Sequence, residues 1–191
     1  MTTHGGRANK TGKTLESIVV PALTSQYGFE VWDYKKYGKH LEQSRDLLGP
    51  ALPKRLLIKS VPYTTLYGSK GKTEFLLVAE DAISTPDFPV LNPPSKFICR
   101  IECKWQQTAG SVDEKFPYLY LSCVEAMTEN NVIILHGGGK YRAGAMQWLK
   151  NAVSTKRYFT NATPANKVIR VMGVEEFLTW ISQAFDRYTP A

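Results

Sequence analysis

Glu102, Lys104 and Gln106 occupy alternate positions in the stretch Phe97–Gln107, FICRIECKWQQ. In an extended strand alternate side chains share a face, so a carboxylate, an ammonium and an amide line up, with Cys99, Ile101, Cys103 and Trp105 on the other side. The surrounding residues are apolar enough to read as an interior strand, where an acid and an amine are costly without partners or a task. The chemistry that calls for these residue types is metal-assisted phosphodiester hydrolysis. Carboxylates hold a divalent ion, and a fixed cation stands near the attacking water or the developing negative charge. The alternative is an exposed edge strand with a cross-strand ion pair, because a Glu-x-Lys triplet is a short and common pattern.

A single carboxylate is a thin metal site, and the second should come from a neighbouring strand. Glu74 opens the segment TEFLLVA, Thr73–Ala79, directly upstream. Asp87, after Pro86, competes for the role but lies in a loop that also contains Pro89, Pro93 and Pro94. A strand positions a ligand more rigidly than a loop, which favours Glu74, with Asp81 a third candidate. Glu16 lies early in an N-terminal helix. It reads either as a solvated acid favoured by the helix dipole or as a further metal carboxylate reaching the sheet.

The elements that must position these residues follow from periodicity and punctuation. A helix starts near Thr11–Thr14, with Leu15, Ile18, Val19, Ala22 and Leu23 on one stripe, Pro21 inside it and Gly28 as its stop. Phe29–Asp33 reads as a strand, and Tyr34–Pro53 as a polar loop with about one helical turn around His40–Leu48. Lys54–Tyr63 and Thr73–Ala79 form a β-hairpin about the Gly68–Lys72 turn, and Glu80–Ser95 is a loop. After Phe97–Gln107, Ser111 and Glu114 suggest a capping box for a helix over Val112–Met127, whose apolar face carries Phe116, Leu119, Cys123 and Met127. Val132–His136 is a short strand, parallel to its neighbour because a helix precedes it. A helix over Ala143–Val153, a strand over Lys167–Met172 and a helix over Val174–Phe185 complete the chain.

The 191 residues suit one domain, and no apolar run is long enough to span a bilayer. The N-terminus lacks the apolar stretch of a secretory signal, so a cytoplasmic protein is expected, without a membrane partner. Cys99, Cys103 and Cys123 make no CxxC pair, and His4, His40 and His136 are scattered. Buried free thiols are expected rather than disulfides or zinc. A formal net charge of +7 suits a polyanion. Residues 1–12 form a polar, flexible basic arm that continues into Lys13. With Lys70 and Lys72, and with Lys140 and Arg142, this arm is expected to grip a phosphate backbone. Lys115 either touches a phosphate or faces solvent. His136–Arg142, HGGGKYR, lacks Walker A spacing and is either a phosphate contact at a helix N-terminus or a flexible connection.

The acid-bearing hairpin strand, then IECKWQQ, then a helix and an apolar strand together resemble the PD-(D/E)XK nuclease superfamily, over roughly Thr11 to Val153. The most specific part is ECKWQQTAGSVDEKFPYLYL, Glu102–Leu121, which is similar to small stand-alone bacterial and phage members. The resemblance implies an α/β fold with a restriction-endonuclease-like αβββαβ core, a mixed central sheet flanked by helices, in a single nuclease domain over 1–191. It implies that Glu102 is a metal ligand, joined by the Cys103 carbonyl, and that Lys104 is the catalytic lysine. Glu74 takes the place of the first aspartate, Gln106 is an auxiliary catalytic residue near the scissile phosphate, and Glu16 matches a helical glutamate beside the metal. The first acid departs from the family pattern: it is a glutamate in Thr73-Glu74-Phe75, and the only literal Pro-Asp is that of Asp87. The expected cofactor is Mg²⁺, with Mn²⁺ able to substitute. The expected partners are DNA and a second copy in a homodimer. The expected activity is a DNA endonuclease, structure-directed towards branched or junction DNA as in Holliday-junction resolvases, or weakly sequence-specific. Its rivals are a restriction endonuclease with a short site and a non-catalytic nucleic-acid-binding module of the same fold.

Overall fold

The computed structural model describes residues 8–44, 51–88, 96–106 and 112–188. Helix α1 (Ala8–Tyr27) leads into strand β1 (Glu30–Asp33) and helix α2 (Tyr34–Ser44). Strands β2 (Arg55–Thr64), β3 (Lys70–Ala79) and β4 (Phe97–Trp105) follow. Helix α3 (Val112–Leu121), a π-helical turn (Ser122–Ala126), strand β5 (Asn131–Gly137), helix α4 (Ala143–Ser154), strand β6 (Val168–Gly173) and helix α5 (Val174–Ala184) complete the order.

The six strands form one sheet in sequence order. β2–β3 and β3–β4 are antiparallel, and β1–β2, β4–β5 and β5–β6 are parallel. Each parallel step requires a crossover, supplied in turn by α2, α3 and α4. Successive crossovers of one hand bring these helices to one face of the sheet. On that face Phe116, Leu119 and Tyr120 of α3 and Leu149 of α4 pack on Val132, Ile134 and Ile169. Further along it, Tyr37 of α2 packs with Trp32, Leu56, Ile58 and Leu76. The opposite face carries α1 and α5, whose Leu15, Val19, Leu23, Phe177 and Ile181 close on Leu57, Phe75, Leu77, Cys99, Ile101 and Cys103. The αβββαβ set is therefore α1, β2, β3, β4, α3 and β5, with β1 and α2 inserted after the first helix.

α1 starts at Ala8, so residues 8–12, expected as part of a flexible arm, are helical; residues 1–7 lie outside the described residues. The helix stops at Gly28, whose φ of +68° is the left-handed conformation that favours glycine, with its N–H donating back to Thr24 O at 3.2 Å. Pro21 is accommodated inside the helix.

Two expectations need correction. Tyr34–Ser44 is an eleven-residue helix, not a loop with a single turn. Asp33 caps it, its Oδ1 accepting from Lys36 N at 2.7 Å, and His40 packs its ring against Trp32 at 5.3 Å, so tertiary anchoring stabilises a polar segment. The helix after β4 is not uniform to Met127. Its α-form ends at Leu121 and one π-turn follows, with Met127 N donating to Ser122 O at 3.0 Å. The expected apolar face survives this change: Phe116, Leu119, Cys123 and Met127 are all buried. Ser111 lies outside the described residues, so the expected capping box does too.

Candidate active site

β4 alternates as its sequence requires. Cys99, Ile101 and Cys103 enter the core under α1, and Arg100 and Glu102 turn to the α3 face. The β3–β4 ladder ends at the pair Phe75–Ile101, while β3 stays paired with β2 on to Lys70. The sheet splits at this point, and Glu74 fills the split: its Oε2 accepts from the backbone N–H of Cys103 at 2.8 Å. Opposite Glu74 on β2, Ser60 has a φ of +57°, outside the regular strand range, and the β2–β3 register is interrupted at this step. Arg100 pins the same place from below. Its Nη1 donates to Thr73 Oγ1 at 3.0 Å, and its Nη2 to Glu129 Oε1 at 2.6 Å.

Glu102 is 6% exposed. Its Oε1 accepts from the Lys104 ammonium, which also donates to Cys103 O at 3.3 Å. Its Oε2 is buried with no hydrogen-bond partner. Burial pushes the Glu102 carboxyl up to about 7, and the neighbouring Glu74 carboxylate adds to this against the pull of Lys104. Burial alone would lower Lys104, but Glu102 and Glu74 outweigh it and hold the amine above its ordinary value. Lys104 is thus held as a cation beside Glu102, a charge suited to stabilising negative charge. Tyr63, on β2, lies within the field of the same group and is raised by burial and then by Glu102.

Two neighbouring carboxylates, one with an unpartnered oxygen, are a donor set a hard divalent cation can use. Such an ion takes one or two carboxylates and fills its other positions with carbonyls, water and phosphate oxygens. Among the described residues no group of three or more His, Cys, Asp or Glu gathers to hold a metal. The residues here that could contribute to such a site are Glu74, Glu102 and the adjoining Cys103 carbonyl.

The end of β4 is held by the loop after β5. Gln106 N donates to Gly137 O at 3.1 Å, its Nε2 to Lys140 O at 2.8 Å, and Lys140 N to Gln106 O at 3.3 Å. Gly138 has a φ of +89°, and a Cβ there would stand 2.3 Å from Gln106 O. The glycine-rich segment is thus a close-packed brace and not a loose connection. Gln106 is buried within this brace: its Nε2 serves the loop, and its Oε1 has no hydrogen-bond partner. The Tyr141 hydroxyl, raised to about 12 chiefly by burial, donates to Lys104 O at 2.6 Å with Gly137 O at 2.8 Å as its second acceptor.

The other sequence candidates separate in space. Glu16 pairs with Lys59 on the α1 side of the sheet and does not join Glu74 and Glu102 in one cluster. Asp87 pairs with Arg170 of β6 at 3.2 Å, and Asp81 is held by Arg55 and Lys54, which depress it below the usual carboxylate range against the effect of burial. Lys70 and Lys72 at the start of β3, Lys115 in the first turn of α3, and Lys140 and Arg142 after β5 are exposed at the sheet end where Glu74 and Lys104 lie. The Lys13 side chain lies outside the described residues.

Asp113 and Tyr118 were not singled out for this region in the sequence, and His136 was read only as the start of the glycine-rich segment. Asp113 is 5% exposed at the start of α3 and accepts from Arg142 N at 3.2 Å, so it ties α3 to the beginning of α4. Its signal was an acid in the first turn of a helix, but not its burial. His136 stands beside Lys104 in the β4–β5 register, and burial lowers its pKa. Tyr118 of α3 stacks on Tyr67 of the β2–β3 turn, ring centres 5.2 Å apart, and bridges the hairpin tip to the helix.

The model of the PD-(D/E)XK nuclease superfamily domain matches residues 7–185 of the chain. No curated protein and no solved structure matches it.

Proposed function

Because the chain belongs to the PD-(D/E)XK nuclease superfamily, we propose that Glu74, Glu102 and Lys104 form the active site of a Mg²⁺-dependent DNA endonuclease. The observation that carries this reading is the unpartnered, buried Oε2 of Glu102 beside the Glu74 carboxylate, with the Lys104 ammonium on its other oxygen. A buried carboxylate oxygen without a donor is costly, and a cation removes that cost.

Glu74, Glu102 and the Cys103 carbonyl are the residues that would hold Mg²⁺, or Mn²⁺ in its place. When bound, such an ion neutralises phosphate charge and lowers the pKa of water. Glu102 would hold such an ion in its ionised form, whereas burial favours its protonated form, so an ion would be held less readily as pH falls below neutrality. Lys104 keeps its proton and places its charge where negative charge grows on the phosphate. Gln106 is a positioning residue, fixing the end of β4 through the loop at Gly137–Lys140. Lys70, Lys72, Lys115, Lys140, Arg142 and Lys13 contact the DNA backbone. Glu16 reaches the metal only if its pair with Lys59 opens.

The favoured substrate is branched or loosely specified DNA, and a second copy presents a second site to the opposite strand. A cleavage panel tests this, with Mg²⁺ and duplex, single-stranded, flapped and four-way-junction DNA, RNA as control, and sedimentation for the dimer. Cutting that requires Mg²⁺ and is lost on Glu102→Gln is expected. Equal cutting by Glu102→Gln would remove the proposal.

A further inference from the structure

The catalytic reading leaves unused a cavity of about 470 Å³ between the end of β1 and α2. Lys35, Lys36 and Lys39 line it, with Trp32 and His40. All three lysines are exposed, and among the described residues none forms an ion pair. The Lys36 ammonium lies 4.0 Å from the centre of the Trp32 ring. The one acid in the lining, Asp33, already accepts from the backbone N–H of Lys36 as the cap of α2.

His40 supplies an independent sign. It is 7% exposed, and its Nε2 is buried with no hydrogen-bond partner. Its ring is held edge-on to Trp32, and the Trp32 indole N–H is itself satisfied by Glu30 Oε2 at 3.2 Å. A buried imidazole nitrogen without a partner needs an explanation. Three ammoniums without an ion-pair partner line the cavity beside it, a lining that suits an oxyanion.

The sheet register fixes where this cavity lies. Asp33 pairs with Lys59, Lys59 with Phe75 and Phe75 with Ile101, and Glu74 and Glu102 are one residue further along. Asp33, at the rim of the cavity, is thus one residue short of the level of the two carboxylates, two strands across from Glu74 and three from Glu102, roughly 10 and 14 Å at the usual strand spacing. α2 also packs on the sheet face that carries Leu76, the face shared by α3. A chain laid along this end of the sheet would meet both places, but with different phosphates.

We propose that Lys36, Lys39 and His40, with Lys35 at the rim, form a pocket for a backbone phosphate of the nucleic acid, distinct from the phosphate that is cut. This assignment rests on the nuclease reading for the identity of the ligand. The shared chemistry is a phosphate oxyanion, and its other source is free phosphate.

The test is fluorescence anisotropy of a labelled oligonucleotide, single-stranded and duplex, in EDTA so that nothing is cut, over a range of salt. Lys36→Ala combined with Lys39→Ala is expected to weaken binding roughly tenfold, and to reduce the slope of log affinity against log salt by about one, the contribution of one phosphate. Inorganic phosphate is expected to move the His40 imidazole resonances of the wild-type protein and not those of the folded double variant. Unchanged DNA affinity and slope in a folded variant overturns the proposal. A phosphate-induced His40 shift without any change in DNA affinity also overturns it, in favour of a free-phosphate site. Wild-type cleavage assayed in parallel separates the two readings. Weakened DNA binding by the double variant, with no cutting by the wild type in any metal, refutes the nuclease and leaves the pocket standing. Cutting with unchanged binding does the reverse.

Discussion

The carboxylate of Glu74 caps the backbone N–H of Cys103 at 2.8 Å, one residue beyond the last pair of the β3–β4 ladder. A side chain thus takes over where main-chain pairing stops, and this brings Glu74 against Glu102. Glu74→Gln keeps an oxygen for that N–H but removes the charge. It is expected to reduce Mg²⁺-dependent cleavage by roughly 10²-fold or more, as are Glu102→Gln and Lys104→Ala. Asp87→Asn, which only frees Arg170, is expected to stay within about twofold of wild type. Cleavage time courses on one DNA substrate, with melting curves to verify folding, decide between the two acids.

Much of this relationship could be read in advance, and some could not. Alternation in FICRIECKW placed Glu102 and Lys104 together, and the hairpin put Glu74 on the neighbouring strand. Choosing between Glu74 and Asp87 requires the strand register, which pairs Phe75 with Ile101 and which local pattern does not encode. α2 was missed because YKKYGKHLEQS has few apolar positions and a glycine. Its anchors are contacts of His40 and Tyr37 with the neighbouring sheet. The burial of Asp113 and the π-turn at Ser122–Ala126 likewise depend on what packs against them.

The metal-free protein should lose stability as pH rises through neutrality. Folding raises the Glu102 carboxyl from 4.5 to about 7, so the folded state holds a proton that the unfolded state has released. That contribution is complete below the unfolded value and is lost as pH climbs through the folded one, on the order of 3 kcal/mol in all. Melting in EDTA between pH 5 and 8 should show the fall. Glu102→Gln should flatten it, and Mg²⁺ should raise the melting temperature most at the alkaline end.

Gly138→Ala is expected to destabilise the fold by about 2–4 kcal/mol, because it adds a left-handed strain to a clash with the Gln106 carbonyl. Denaturant titration gives this number. Cleavage should fall as well in the fraction that remains folded, since the loop fixes the end of β4.

The Arg100–Glu129 pair is buried on the Arg100 side and holds the strand carrying Glu102 to the connection between the π-turn and β5. Glu129→Ala leaves that guanidinium uncompensated and is expected to cost about 3–5 kcal/mol. Arg100→Met with Glu129→Leu should recover most of the loss, and a double-mutant cycle by chemical denaturation measures the coupling.

The three thiols sit on opposite sides of the sheet: Cys99 and Cys103 under α1, and Cys123 in the π-turn, within the field of Glu102. All three are buried, and burial pushes every one of them up, Cys123 to about 12. The folded protein is therefore slow to alkylate at any of them, and modification follows local opening. Cys123 becomes an internal clock for how often the π-turn opens beside Glu102, and its labelling rate can be followed with no substrate present.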